Sequence, residues 1–238
     1  MLTLLDEKIL NFLNSFALKV WTFDVMVQLL ERNMLFKGGV FIVLYWILWF
    51  SKKEGVNIVE RRKTLLASMI GAMFGVFTTV LLTIVLPYRA RPVHDSALAL
   101  AVPSGVEEIL EGWSAFPSDT ATLACGLAIG IFLVSRTLGL CAVLYALIFV
   151  FIPRVYLGLH YPTDILAGIM IGATFVVLAN VHGVKELLSS RILEFSERYP
   201  GIFYGMFFLF SFEVGNLFLD LRDIGDTFIT IWENIAIY

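Results

Sequence analysis

The sequence predicts an all-α, polytopic membrane protein: a six-transmembrane-helix bundle with amphipathic interfacial helices at both ends. Composition and run length carry that prediction. Hydrophobic residues make up 59% of the 238 and charged residues 16%, where soluble domains have about half and a quarter. Mean hydropathy is +0.85, and the surplus lies in long apolar runs, the pattern of a chain dissolved in lipid. A net charge of −3, with no lysine-rich stripe between aromatics, argues against nucleic acid as a partner. Cys125 and Cys141 lie within apolar runs, without CxxC spacing or a cysteine-rich module.

In chain order, residues 3–32 mix Leu, Ile, Phe and Val with Asp6, Glu7, Lys8, Lys19, Asp24 and Glu31. That mixture suits helices lying in the interface. Asp6 and Glu7 stand where a secretory leader would carry bases, so no signal peptide is expected. A spanning helix needs about 20 mostly apolar residues, because unpaired backbone groups in hydrocarbon are costly. The candidates run from Phe36 to Phe50, Thr64 to Leu86, Ser118 to Ser135, Leu138 to Ile152, Ile165 to Asn180 and Gly201 to Leu219. The fourth is short and forms a hairpin with the third around Arg136 and Thr137. The tail 220–238 again alternates acids with Ile, Phe and Trp. With no repeat or linker, the chain reads as one domain, a core of 34–219 between interfacial ends 1–33 and 220–238.

Loop charges set the orientation. Loops 51–63, 136–137 and 181–200 hold Lys52, Lys53, Arg61, Arg62, Lys63, Arg136, Lys185, Arg191 and Arg198, outnumbering the acids there. These loops are expected to be cytoplasmic, with both termini, 87–117 and 153–164 outside, as in a prokaryotic inner membrane.

Three polar clusters fall on that outer side: Tyr88 to Asp95, Phe116 to Thr120 and Pro153 to Asp164. Together they read as an anion site. Arg89, Arg91 and Arg154 supply planar forks that suit phosphate oxygens. Ser118 is placed to N-cap a helix whose free N–H groups would face an anion. His160 and Asp164 are four apart, so a helix opening at Pro162 brings the carboxylate back toward the imidazole. A histidine held by a carboxylate at one nitrogen keeps the other free to attack phosphorus. Such a set performs phosphoryl transfer with no metal or cofactor required.

The segment Arg154-x5-His160-x3-Asp164 resembles the third signature of the type 2 phosphatidic acid phosphatase superfamily, the membrane lipid phosphatases related to vanadium haloperoxidases. Arg91-Pro92 resembles the end of the first signature and Pro117-Ser118 the start of the second, so the likeness covers roughly residues 34–219. It implies His160 as nucleophile through a phosphohistidine, Asp164 as its orienter, and Arg91, Arg154 and Ser118 as phosphate ligands. The chain departs from the pattern in three places. Ile84 stands where the first signature starts with lysine, with Arg89 as a substitute charge. Pro153 replaces a serine. Asp119-Thr120 replaces the second signature's Gly-His. Aspartate there resembles the undecaprenyl-diphosphatase branch, whereas Thr120 removes the acid that protonates the leaving group. His94, three residues beyond Arg91, is a candidate substitute acid.

Losing the acid tilts the substrate toward a diphosphate, whose leaving oxygen already delocalises its charge. The expected function is removal of a terminal phosphate from a lipid phosphate or polyprenyl diphosphate. A degenerate lipid-phosphate binder and a lipid phosphotransferase are the alternatives. Membrane lipids are the other expected partners, and oligomeric state is not legible. Elsewhere, Lys37 reads as a snorkelling lysine, His182 as solvated, Glu213 as an intramembrane carboxylate and Glu107, Glu108 and Glu111 as a wet helix face.

Overall fold

The computed structural model describes residues 4–52, 57–103 and 113–219; the tail 220–238 and Glu107, Glu108 and Glu111 lie outside them. The described residues are helical, without strands. The elements are α1 (Leu4–Asn14), α2 (Trp21–Arg32), α3 (Val40–Phe50), α4 (Ile58–Val85), α5 (Asp119–Val134), α6 (Arg136–Tyr145), α7 (Ile152–Tyr156), α8 (Pro162–Ala179), α9 (His182–Arg198) and α10 (Pro200–Gly215). Wide π turns at Leu35–Gly39 and Ala146–Phe151 lead into α3 and α7.

Among the described residues, three helices are long and apolar enough to cross a membrane: α4, the run Arg136–Tyr156 and α8. The pair α2 and Leu35–Phe50, bent by 69°, makes a fourth if counted as one span. α5 and α10 are apolar but shorter, 16 residues each.

Local chemistry explains where these helices start. Asn57 caps α4, its side chain accepting from Val59 N at 3.0 Å and Glu60 N at 3.3 Å. Ser118 caps α5, its Oγ accepting from Ala121 N at 3.4 Å. Pro162 opens α8, where a missing N–H does no harm, and Asp164 reaches back to Tyr161 N at 2.8 Å.

Two segments are more helical than the sequence reading has them. The fourth span does not stop at Ile152: it continues through Pro153 to Tyr156, carrying Arg154 on its last turns. Pro153 lacks an N–H and its ring crowds the carbonyl four residues back. The π turn Ala146–Phe151 widens the helix there and lets it run on. The segment 181–200, read as a loop, contains α9, 17 residues long. Its polar residues are used against α4, with Lys63 Nζ 2.7 Å from Glu186 and Lys185 Nζ 2.9 Å from Glu60.

α4, α5 and α8 form the centre of the bundle and approach closely through small residues, as helices do where lipid supplies no squeezing force. A Cβ on Gly168 would run into the Ser118 carbonyl, so glycine there sets the α5–α8 spacing at the site. Thr79 and Thr122 pair their hydroxyls at 2.9 Å between α4 and α5.

α1 and α2 turn their acids inward. Asp6, Asp24 and Glu31 are buried, while Leu4 and Trp21 are 76% exposed and Phe12 and Met26 63%. α1 and α2 thus bury acidic side chains and leave large apolar ones exposed.

Candidate active site

The C-terminal end of α4, the N-terminal ends of α5 and α8, and α7 lie near α1 and α2, and there the three polar clusters converge. Loop backbone ties them together. Ala115 N donates to Arg89 O at 2.9 Å, Val93 N to Gly158 O at 2.9 Å, and Ser118 N to Asp164 O at 3.2 Å. Gly158 has φ +69, which lets the loop after α7 turn tightly against Val93.

At the centre is His160, 2% exposed. Its Nδ1 lies 2.8 Å from the Ala115 carbonyl oxygen and 3.7 Å from Asp164 Oδ2. A carbonyl only accepts, so Nδ1 carries the proton in that bond. Nε2 lies 3.2 Å from Arg91 Nη1, which only donates, and so presents its lone pair. Burial, and then the positive charges of Arg154 and Arg91, hold the imidazole well below the ordinary 6.5, against a smaller upward effect of the Ala115 bond. The ring is therefore neutral at pH 7, as a nitrogen nucleophile must be.

Arg91 is 4% exposed and donates to the Leu159 carbonyl at 2.7 Å. Burial, and then the charge of Arg154, bring it down to about 10, still cationic. No carboxylate lies within ion-pair distance of it among the described residues. Arg154, 3% exposed, places Nη1 3.3 Å from Glu31 Oε1. The Nε atoms of both guanidinium groups are buried without a hydrogen-bond partner among the described residues.

Asp164 is fully buried and engaged on both oxygens. Oδ1 pairs with Arg89 Nη1, and Oδ2 accepts from Tyr161 N at 2.8 Å. Its tie to His160, at 3.7 Å, is an electrostatic one; the hydrogen bond that orients the ring comes from Ala115. Arg89 pairs through Nη2 with Asp6 at 3.1 Å and stacks 4.1 Å over the Tyr161 ring. Asp6 accepts from Thr163 N at 2.9 Å and from Thr163 Oγ1 at 2.9 Å, so a carboxylate on α1 caps α8.

The structure thus brings Arg89, Arg91, Arg154, Ser118, His160 and Asp164 to one place. Ser118 is fully buried as the cap of α5. Thr120 is buried in the first turn of α5, its N–H on Asp119 Oδ1 at 2.6 Å. His94 ends the 3-10 turn Pro92–His94, half-buried. Ile84 is 71% exposed. Glu213 is half-buried on α10, whose Gly215 packs on Gly38 beside Lys37.

Sequence reasoning missed Asp6, Asp24, Glu31 and Lys37. Lys37 does not snorkel: it is 7% exposed and pairs with Glu31 at 3.3 Å. Asp24 pairs with the Tyr156 hydroxyl. A signal was present, since Asp24, Val27 and Glu31 recur on one helix face in an otherwise apolar segment. Ala115 left none, because it acts through its carbonyl.

A model of the PAP2 superfamily matches residues 61–185, more than half of the chain. The matched region contains Arg89, Arg91, Ser118, Arg154, His160 and Asp164, but not Asp6, Glu31 or Lys37. No curated protein and no solved structure matches the chain.

Proposed function

This chain belongs to the PAP2 superfamily, whose membership suggests a phosphatase-type activity, and on that premise we propose that it is a membrane lipid phosphatase acting on a polyprenyl diphosphate or another lipid phosphate. The observation that carries this reading is the neutral, buried His160, with Nδ1 tied to Ala115 and Nε2 directed at Arg91.

In the proposed reaction, Nε2 attacks the terminal phosphorus and the bond to the bridging oxygen breaks. The lipid monophosphate leaves with that electron pair. Arg91 and Arg154 hold the equatorial oxygens, with their unpartnered Nε–H groups as donors. The Ser118 hydroxyl and the N–H groups opening α5 supply further donors. Attack leaves positive charge on the ring, which Ala115 O and the Asp164 carboxylate stabilise. Arg89 holds that carboxylate in place. Water then attacks the phosphohistidine, the P–N bond breaks, and inorganic phosphate departs as Nε2 recovers its lone pair.

Thr120 cannot protonate a leaving alkoxide near neutral pH, which favours a diphosphate, whose leaving group needs no acid. His94 is the candidate acid for a monoester. The same Thr120 favours a second reading, a lipid-phosphate binder without turnover. We place the chain in a prokaryotic inner membrane, with residues 36–50, α4, α5, the run Arg136–Tyr156, α8 and α10 as six spans and α1 and α2 at the interface. Residues 51–63 and 181–200 then face the cytoplasm and the site faces outward.

The test is phosphate release by purified protein in detergent, from a panel of lipid monophosphates and diphosphates. Release that orthovanadate suppresses and His160→Ala abolishes supports the enzyme. Lipid binding with no release by the wild type favours the binder. Loss of diphosphate only when a phosphate acceptor is present indicates transfer.

A further inference from the structure

Glu31, at the end of α2, lies between two cations. Its Oε1 is 3.3 Å from Lys37 Nζ and 3.3 Å from Arg154 Nη1, and its Oε2 is 3.4 Å from the same Arg154 nitrogen. All three residues are more than nine-tenths buried. Lys37 sits on the π turn beyond the 69° bend, so the carboxylate joins α2, the start of α3 and the end of α7. The positive charge of Lys37 is among those acting on His160, after burial and the charges of Arg154 and Arg91.

The acids around the site are not equivalent. Asp164 is held by the Tyr161 N–H and Asp6 by the Thr163 N–H, bonds that belong to the start of α8. The hydrogen bonds of Glu31 run to Lys37 and Arg154 alone among the described residues. Of Asp6, Asp164 and Glu31, it is the one bound by charged side chains without a backbone N–H, and a phosphate could satisfy both without any backbone bond being broken. A carboxylate oxygen shared between an ammonium and a guanidinium occupies the kind of position a phosphate oxygen takes.

We propose that Lys37 is a third phosphate-binding cation of the site, and that Glu31 is its resident counter-anion, displaced by the phosphate when substrate binds. The inference rests on the phosphate-site reading above, and it deepens that reading. Displacement releases Lys37 and Arg154 from Glu31, and both then bind the incoming oxygens, while the Asp24–Tyr156 hydrogen bond keeps α2 against α7.

The experiment is titration of orthovanadate into the full-length protein in detergent, followed by calorimetry. Wild type is compared with Lys37→Met, Lys37→Arg, Glu31→Gln and the double variant Glu31→Gln/Lys37→Met, each with its thermal midpoint. Glu31→Gln removes the competitor and should bind vanadate several-fold more tightly. Lys37→Met should bind about tenfold more weakly or worse, the loss of one charge-assisted bond, with Lys37→Arg near wild type. If Lys37→Met does not fold, the double variant, which buries neither charge, makes the same comparison against Glu31→Gln. Unchanged affinity in both Lys37→Met and the double variant overturns the proposal. So does weaker binding by Glu31→Gln, which would make Glu31 a strut for the arginine. Lipid phosphate release with unaltered variant affinities sinks this inference and leaves the hydrolase reading standing. Vanadate affinities that shift as expected, in a protein releasing no phosphate, do the reverse.

Discussion

Arg91 Nη1 and His160 Nε2 are 3.2 Å apart, a guanidinium donor against the lone pair of a neutral imidazole. The arginine thus holds in the resting site the nitrogen that phosphorus would meet, and both side chains are buried. Replacing Arg91 by Lys keeps a charge but loses the planar fork. Phosphate release should fall on the order of tenfold or more, while His160→Ala should fall on the order of 10³-fold or more. Initial rates with one diphosphate substrate, at matched thermal midpoints, check both.

The depressed basicity of His160 has a consequence for stability. Its folded-state value lies below the ordinary 6.5, so between the two values the unfolded chain binds the extra proton. The contribution is complete above pH 6.5 and is lost as pH falls toward the folded-state value. Thermal midpoints of the wild type should decline between about pH 6.5 and 5 more steeply than those of His160→Gln. Parallel curves would show that the ring titrates normally.

Asp6 connects α1 to both Arg89 and the start of α8. Among the described residues, Asp6→Ala leaves Asp164 as the remaining carboxylate partner of Arg89, whose side chain is 21% exposed, and removes the bonds from Thr163 to Asp6. A cost of about 2 kcal/mol is expected, discounted for that exposure, with Asp6→Asn in between. Urea unfolding followed by circular dichroism measures it. A neutral Asp6→Ala would mean that α1 does not hold the site.

Thr120 is the residue that the resemblance sets where the second signature has its histidine. Thr120→His should raise turnover of lipid monophosphates relative to diphosphates, because the alkoxide is the leaving group that needs a proton. The ratio of the two kcat/KM values is the readout. An unchanged ratio would remove leaving-group protonation as the basis of substrate preference.

Gly168 sets the spacing of α5 and α8 beside Ser118. Gly168→Ala places a methyl group against the Ser118 carbonyl and should destabilise by about 1–3 kcal/mol, with a loss of vanadate affinity as the α5 cap shifts. Gly205→Ala, with open space around its Cβ, is the control and should leave both unchanged.

Much of the helical pattern was legible because lipid imposes it. Long apolar runs such as Ile58–Val85 must close their own hydrogen bonds as helices. The exceptions are instructive. The fourth span read as ending at Ile152, and the π turn before Pro153 carries the helix on to Arg154 and Tyr156. The polar segment 181–200 read as a loop, and its acids and bases instead bind a helix to α4. Arg89 was legible as a cation at the site, but not as the partner of two carboxylates, because one of them comes from 83 residues away.

From the sequence alone came a lipid-soluble helical chain, a superfamily resemblance and three clusters of phosphate chemistry. These depend on run length and on residues close in sequence, such as His160 and Asp164. Only the tertiary structure decided that Asp6, Glu31 and Lys37 belong to the same site, and that a backbone oxygen of Ala115 holds the imidazole. An amphipathic helix specifies which of its faces is polar, but what that face meets depends on the neighbours it packs against. A carbonyl group has no residue-type signature at all.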